Sequence, residues 1–235
     1  MAVELARPSY PFLITLPSVY PPQGDTRLLM TALEREGICP GAEVLDLCTG
    51  SGALALRAAQ MGGRVTAVDV ARLAVVTARL NALLHHRRIT VRRSDLLPAV
   101  GERCYDLVLC NPPYVPAPAT RVPTRGAPRA WDAGPDGRAV VDRVCDDVPA
   151  ALRRGGVLLM VHSGLCDPDA TVRRLSRGGL EASISARAHI PLGPVLLSRI
   201  KWLRERELLS ADDRYEELVV IRAEQTCPPT ASHRD

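Results

Sequence analysis

Asn111-Pro112-Pro113-Tyr114 carries the clearest chemical reading in this 235-residue chain. The four residues follow Tyr105 to Cys110, an apolar run of strand length, so the sequence predicts a turn at the end of a buried strand. Two successive prolines stiffen the backbone and remove two N–H donors, which leaves carbonyl oxygens and the Asn111 side-chain oxygen as acceptors. Such an acceptor pair suits an incoming amino group, and Tyr114 supplies a flat face on which a planar amide or base can stack. A stiff surface turn without chemistry is the competing reading, and the position of a second motif weighs against it.

That second motif is Asp46-Leu47-Cys48-Thr49-Gly50-Ser51-Gly52, a strand-to-helix turn of the kind that forms the ligand crevice of an open parallel sheet. Its glycines let the backbone come close to a ligand, and the next helix presents free N–H groups. Asp69 ends the following strand about 20 residues on, where a carboxylate can accept both hydroxyls of a ribose. The third glycine of a dinucleotide fingerprint is missing, with Leu54 and Ala55 in its place, so a nucleoside without phosphates fits better. Ser94-Asp95-Leu96 follows the third strand and offers a further carboxylate, suited to the exocyclic amine of adenine or to capping a turn.

Elements that could position these residues alternate along the chain, short apolar strands with longer helical stretches, the pattern of a doubly wound α/β sheet. Helices are expected at Thr26–Glu36 with Asp25 as N-cap, Ala53–Met61, Ala71–His86, from Asp136 or Gly137 to Arg154 with an irregularity at Pro149, Asp169–Arg177 and Ser198–Leu209. Strands are expected at Val44–Leu47, Arg64–Val70, Ile89–Arg93, Tyr105–Cys110, Val157–His162, Glu181–Ala188 and Glu217–Arg222. Five prolines between Val115 and Pro135 make that span a loop, and loops of such length usually serve a site or are disordered. Residues 1–225 read as one domain with a helical cap over 1–40, and 226–235 as a disordered tail.

Composition excludes several classes. With 46% apolar and 24% charged residues the chain is globular, and no run approaches the roughly 20 apolar residues of a membrane span. Neither a signal peptide nor a disulfide framework is indicated: seven cysteines are scattered without a C-x-x-C pair, which fits reduced thiols in the cytoplasm. The five histidines lack metal-ligand spacing, so no metal site is expected, and His162 stands nearest the crevice. The net charge of +4 is almost wholly arginine, which compositional bias explains as well as a nucleic-acid footprint would. Arg87, Arg88, Arg92 and Arg93 border the third strand, where they can touch an anionic partner or discourage edge pairing.

Taken together, these motifs resemble class I S-adenosylmethionine-dependent methyltransferases of the HemK/PrmC type. The resemblance runs from Val19-Tyr20-Pro21-Pro22 and Asp25-Thr26 to the final strand and is close over Ala130-Trp131-Asp132-Ala133-Gly134-Pro135-Asp136-Gly137-Arg138. It implies a Rossmann-like seven-stranded sheet of order 3-2-1-4-5-7-6, mostly parallel with the last strand antiparallel, and helices on both faces. It also implies S-adenosylmethionine as cofactor. Asp46, Cys48, Thr49, Gly50 and Gly52 would lie near its methionine part, Asp69 and Val70 at the ribose, and Asp95 and Leu96 at the adenine, with Asn111 beside the methyl group. Asn111, the Pro112 carbonyl and Tyr114 would hold the target nitrogen.

Members of the PrmC kind methylate the glutamine amide of the Gly-Gly-Gln motif in translation release factors, which makes a release factor the implied protein substrate. Two departures stand out. Cys48 occupies a position where many relatives have glycine, and only about 25 residues precede the first helix, as in the short branch that lacks an N-terminal helical domain. Eukaryotic members of that branch work with a small zinc-binding activator. Other readings stay open at this point: methylation of an exocyclic amine of adenine or guanine in RNA or DNA, methylation of a small metabolite, and a non-catalytic cofactor-binding module.

Overall fold

The computed structural model describes residues 12–97 and 104–226. One seven-stranded sheet organises them. Its strands are β1 (Glu43–Leu47), β2 (Arg64–Asp69), β3 (Ile89–Arg93), β4 (Tyr105–Cys110), β5 (Leu152–Ser163), β6 (Glu181–Pro191) and β7 (Tyr215–Glu224), in the order 3-2-1-4-5-7-6. Strands β1 to β5 pair in parallel, and β7 runs antiparallel between β5 and β6. The expected sheet order and the antiparallel last strand are both found.

Central strands are apolar almost throughout because helices cover both sides, as Leu45, Leu47, Val108, Leu109 and Cys110 show by complete burial. Helices α1 (Gly24–Glu36), α2 (Ala53–Gln60) and α3 (Arg72–Leu84) pack in one group, and α4 (Val141–Asp147) packs on α5 (Pro168–Arg177) in another. A small second core of Leu192, Leu196, Leu203 and Leu209 forms in the excursion between β6 and β7, where Val115 packs against it.

Several boundaries differ from the sequence expectation, each for a physical reason. The helix expected from 136 or 137 to 154 is confined to α4, because Pro149 converts the continuation into a 3-10 turn over Val148–Ala151. Gly155-Gly156 is not a helix stop but lies inside β5, at a register shift against β4, with the Tyr105 carbonyl packed where a side chain of residue 156 would stand. The helix expected over Ser198–Leu209 is two short ones, α6 (Pro194–Ser198) and α7 (Ile200–Glu205), broken at Arg199. Asp25 is not the N-cap of α1: Gln23 holds that position, and Asp25 lies in the first turn, 2% exposed, facing inward. The loop over 115–135 contains a 3-10 turn at Ala127–Ala130 and a single parallel bridge, Val115 to Asp132. The tail expected over 226–235 lies outside the described residues apart from Thr226, as do residues 1–11 of the expected cap.

Candidate active site

A cavity of about 340 Å³ opens at the carboxyl ends of β1, β2 and β4. This is the crevice where parallel α/β sheets hold ligands, and the volume is within the range of small-molecule sites. Thr49, Gly50, Asp69, Leu96, Asn111 and Tyr114 all stand on its wall. Two residues expected at the ligand, Asp46 and Gly52, stand behind the wall and shape it instead. Asp46 is fully buried, and its Oδ2 accepts from Thr49 Oγ1 at 2.5 Å and Ala55 N at 3.1 Å. Burial pushes its carboxyl up to about 7. Gly52 has φ +83°, and a Cβ there would lie 3.1 Å from that of Ala78, so glycine lets α2 and α3 close together.

Asp69 ties the turn to β2. Its Oδ2 accepts from Gly50 N at 2.9 Å and its Oδ1 from Ala71 N at 2.8 Å, and each oxygen keeps a lone pair for a ribose hydroxyl. Burial raises its carboxyl, with these backbone donors and Arg129 acting against the rise. Val70 and Cys48 complete this side of the wall. Cys48 at φ +58° and Leu96 at φ +62° are both left-handed without being glycine, a strain that collects at binding sites. Asp95 sits at the rim, exposed and ion-paired with Arg143 at 3.1 Å. Around them Leu54, Val68, Ala71 and Ala74 give an apolar surface for a flat base. Carboxylate, apolar slot and exposed turn together fit a nucleoside-bearing cofactor.

Across the cavity, β4 delivers Asn111 and Tyr114 to one buried carboxylate. Asn111 Nδ2 donates to Asp25 Oδ2 at 3.1 Å, and Tyr114 OH donates to the same oxygen at 3.0 Å. Asp25 Oδ1 accepts from Thr26 N at 2.6 Å and Thr26 Oγ1 at 3.2 Å. Tyr20 and Glu216 face the same group. Burial pushes Glu216 up to about 8, with the charge of Asp25 adding to the rise, and burial likewise raises both tyrosine phenols, Tyr20 and Tyr114. None of Tyr20, Asp25 or Glu216 is assigned a chemical role by sequence reasoning. In the sequence Asp25-Thr26 is visible only as a helix start and as part of the family pattern, because the partners of Asp25 on the turn lie more than 80 residues away.

The turn itself is clamped by the segment that carries the closest family resemblance. Val115 N donates to Trp131 O at 2.7 Å, Ala133 N to Val115 O at 3.1 Å, and Ala117 N to Gly134 O at 2.9 Å. Arg138 then ties this segment to the end of β5, donating to the carbonyls of Cys166 and Asp167 and pairing with Asp142 at 2.6 Å. Arg199, at the break between α6 and α7, reaches Asp132 at 2.7 Å and the Pro116 carbonyl at 3.1 Å. His162 takes no part in the wall: it is fully buried, bonded to the Ser163 carbonyl, and pushed down to about 4 by burial.

Comparison with known proteins agrees with this geometry. Residues 14–124 match the family model described as the methyltransferase small domain. A protein of Methanocaldococcus jannaschii, provisionally named a protein N5-glutamine methyltransferase, is 31% identical over 77% of this chain and 90% of its own length. The human methyltransferase HEMK2 is 32% identical over 70% of this chain and 81% of its own. Among solved structures, the E. cuniculi Mtq2–Trm112 complex, described as responsible for methylating the termination factor eRF1, superposes with a TM-score of 0.60 at 27% identity. That superposition covers 89% of this chain and 99% of the other. By sequence, sheet order and the Asn-Pro-Pro-Tyr turn, the chain belongs to the HemK-type family of class I methyltransferases.

Proposed function

We propose that this chain transfers a methyl group from S-adenosylmethionine to the side-chain amide nitrogen of the Gly-Gly-Gln glutamine in a translation release factor. The observation that carries the reading is the orientation of Asn111. Its NH2 is committed to Asp25, which leaves its Oδ1 as an acceptor for a ligand in the cavity that Asn111 and Pro112 both line, and the Pro112 carbonyl would be the second acceptor. Two acceptors at that point match the two N–H groups of a primary amide. Relatives support the same acceptor, since they include release factor glutamine methyltransferases of Mycolicibacterium smegmatis and Moorella thermoacetica.

S-adenosylmethionine, when bound, supplies an electrophilic methyl group on a sulfonium. Asp69 would hold the ribose, Asp95 and Leu96 the adenine, and Thr49 and Gly50 the methionine part. An amide nitrogen is a weak nucleophile because its lone pair is delocalised. Asn111 Oδ1 and the Pro112 carbonyl would fix both amide hydrogens, turn the nitrogen's π face to the methyl group, and stabilise the positive charge that grows on nitrogen. Alignment of this kind contributes about 7–11 kcal/mol in well-oriented reactions. Tyr114, with its hydroxyl anchored to Asp25, would place its ring against the amide plane.

A release factor substrate places the reaction in the cytoplasm. A small zinc-binding activator subunit is part of the same reading; the E. cuniculi neighbour, a complex with Trm112, supports a partner subunit. On this chain the surface suited to such a subunit is α3, where Leu73, Val76, Leu80, Leu83 and Leu84 are 40–73% exposed, close to β3, an edge strand of the sheet among the described residues.

The experiment is a tritiated methyl-transfer assay on release factors, bulk RNA and DNA, run with wild type and Asn111→Ala. Label entering the release factor with wild type alone supports the proposal. Label confined to nucleic acid refutes it.

A further inference from the structure

Asn111 can present its oxygen to a substrate only if something holds its amide group the right way round. An amide rotated by half a turn has the same shape but would offer NH2, a donor, to an incoming NH2. We propose that Asp25 is the positioning residue that fixes this orientation, acting through Asn111 and Tyr114 rather than by touching the substrate. The inference deepens the reading above and rests on it for the identity of the acceptor.

The donors around the carboxylate set this orientation. Ionised, it can only accept, and five donors converge on it: Asn111 Nδ2 and Tyr114 OH on Oδ2, Thr26 N and Thr26 Oγ1 on Oδ1, and the Tyr20 hydroxyl. Thr26 Oγ1 spends its proton on Asp25, so at 3.4 Å it too offers Asn111 only a lone pair. Both neighbours of the Asn111 amide therefore demand its NH2, and the oxygen is turned away toward the cavity. A misrotated amide would point an oxygen at a carboxylate inside a site that is 2% exposed at Asp25, where an unmet polar contact is costly.

Asp25→Asn tests this without changing shape. Thr26 N needs an acceptor on one side, so the new NH2 takes the place of Oδ2 and donates to Asn111. Asn111 then rotates to accept and shows its own NH2 to the substrate. Adding Asn111→Asp restores an acceptor on both sides of residue 111: one carboxylate oxygen accepts from the new amide at position 25, the other faces the cavity. The double variant thus reverses the polarity of the pair while keeping an acceptor toward the substrate.

Expected results are a fall in kcat of about 100-fold for Asp25→Asn, with thermal midpoint and S-adenosylmethionine affinity within a few-fold of wild type, and a regain of at least about tenfold in the double variant. Asp25→Asn at wild-type kcat, or a double variant no faster than either single one, overturns the inference. A second readout does not depend on turnover: the Asn111 side-chain amide protons, assigned by their loss in Asn111→Asp, should exchange slowly with solvent and show a cross-peak to Tyr114. Both properties should disappear in Asp25→Asn, and their persistence overturns the inference. If wild type methylates no acceptor, the functional reading fails and the amide-proton measurement alone decides the role of Asp25.

Discussion

Gly137 and Tyr114 are in direct contact, the bare α-carbon of one lying against the backbone carbonyl of the other. A Cβ at position 137 would overlap that carbonyl and would stand 2.7 Å from Cys166 Sγ, itself bonded to the Tyr114 carbonyl at 3.0 Å. With φ at +72°, position 137 is doubly restricted to glycine. The segment after the Asn-Pro-Pro-Tyr turn is therefore part of the candidate site, because its backbone fills the space that fixes Tyr114.

Gly137→Ala should accordingly cost stability by about 2–4 kcal/mol, from the left-handed backbone and the overlap together. Because the displaced group is the Tyr114 carbonyl, kcat should fall while cofactor affinity changes little. Thermal unfolding and single-turnover kinetics read the two effects separately, and an unchanged kcat in a folded variant would separate this segment from the site.

Cys48 offers a prediction with two signs. Its φ of +58° costs a side-chain-bearing residue about 1–2 kcal/mol, most for a β-branched one. Cys48→Val should destabilise by about that amount, whereas Cys48→Gly should change stability by less than about 1 kcal/mol, since relief of strain offsets lost packing. Chemical denaturation of both variants checks the order, which the reverse ranking would contradict.

Glu216 predicts a pH dependence. In the fold burial, then the charge of Asp25, raises its carboxyl from 4.5 to about 8. The folded state binds its proton more tightly than the unfolded state, so the contribution is fully present below 4.5 and is lost as pH rises through 8. Asp46, at about 7, works in the same direction, while His162, at about 4, works oppositely as pH falls below 6.5. Glu216→Gln removes only the first effect. Its stability relative to wild type should therefore rise by a few kcal/mol between about pH 4.5 and 8.5. Parallel stability curves across that window would show that Glu216 is not held protonated.

How much of this was legible in the sequence follows the range of the interactions involved. Strands β3 and β4 have the predicted bounds because an apolar run ending at charge or proline is a local signal. The glycine turn and Asp69 were legible for the same reason, their spacing lying within one βαβ unit. Gly155-Gly156 misled because a glycine pair marks a helix stop and a strand bulge equally well. Asp25 misled in a similar way: at the start of a helix a carboxylate reads as a cap, and its bonds to residues 111 and 114 come only from the tertiary fold that brings the turn after β4 to the start of α1. Arg199 was illegible for want of any local mark, since its partner Asp132 lies far away in sequence, in the loop over 115–135.

The most direct test of the central claim is mass spectrometry of a release factor incubated with S-adenosylmethionine and either wild type or Asn111→Ala, the peptide containing Gly-Gly-Gln being sequenced. The account predicts one added methyl group on the side chain of that glutamine with wild type and none with the variant. A methyl group on any other residue, or an equal yield from Asn111→Ala, would contradict it.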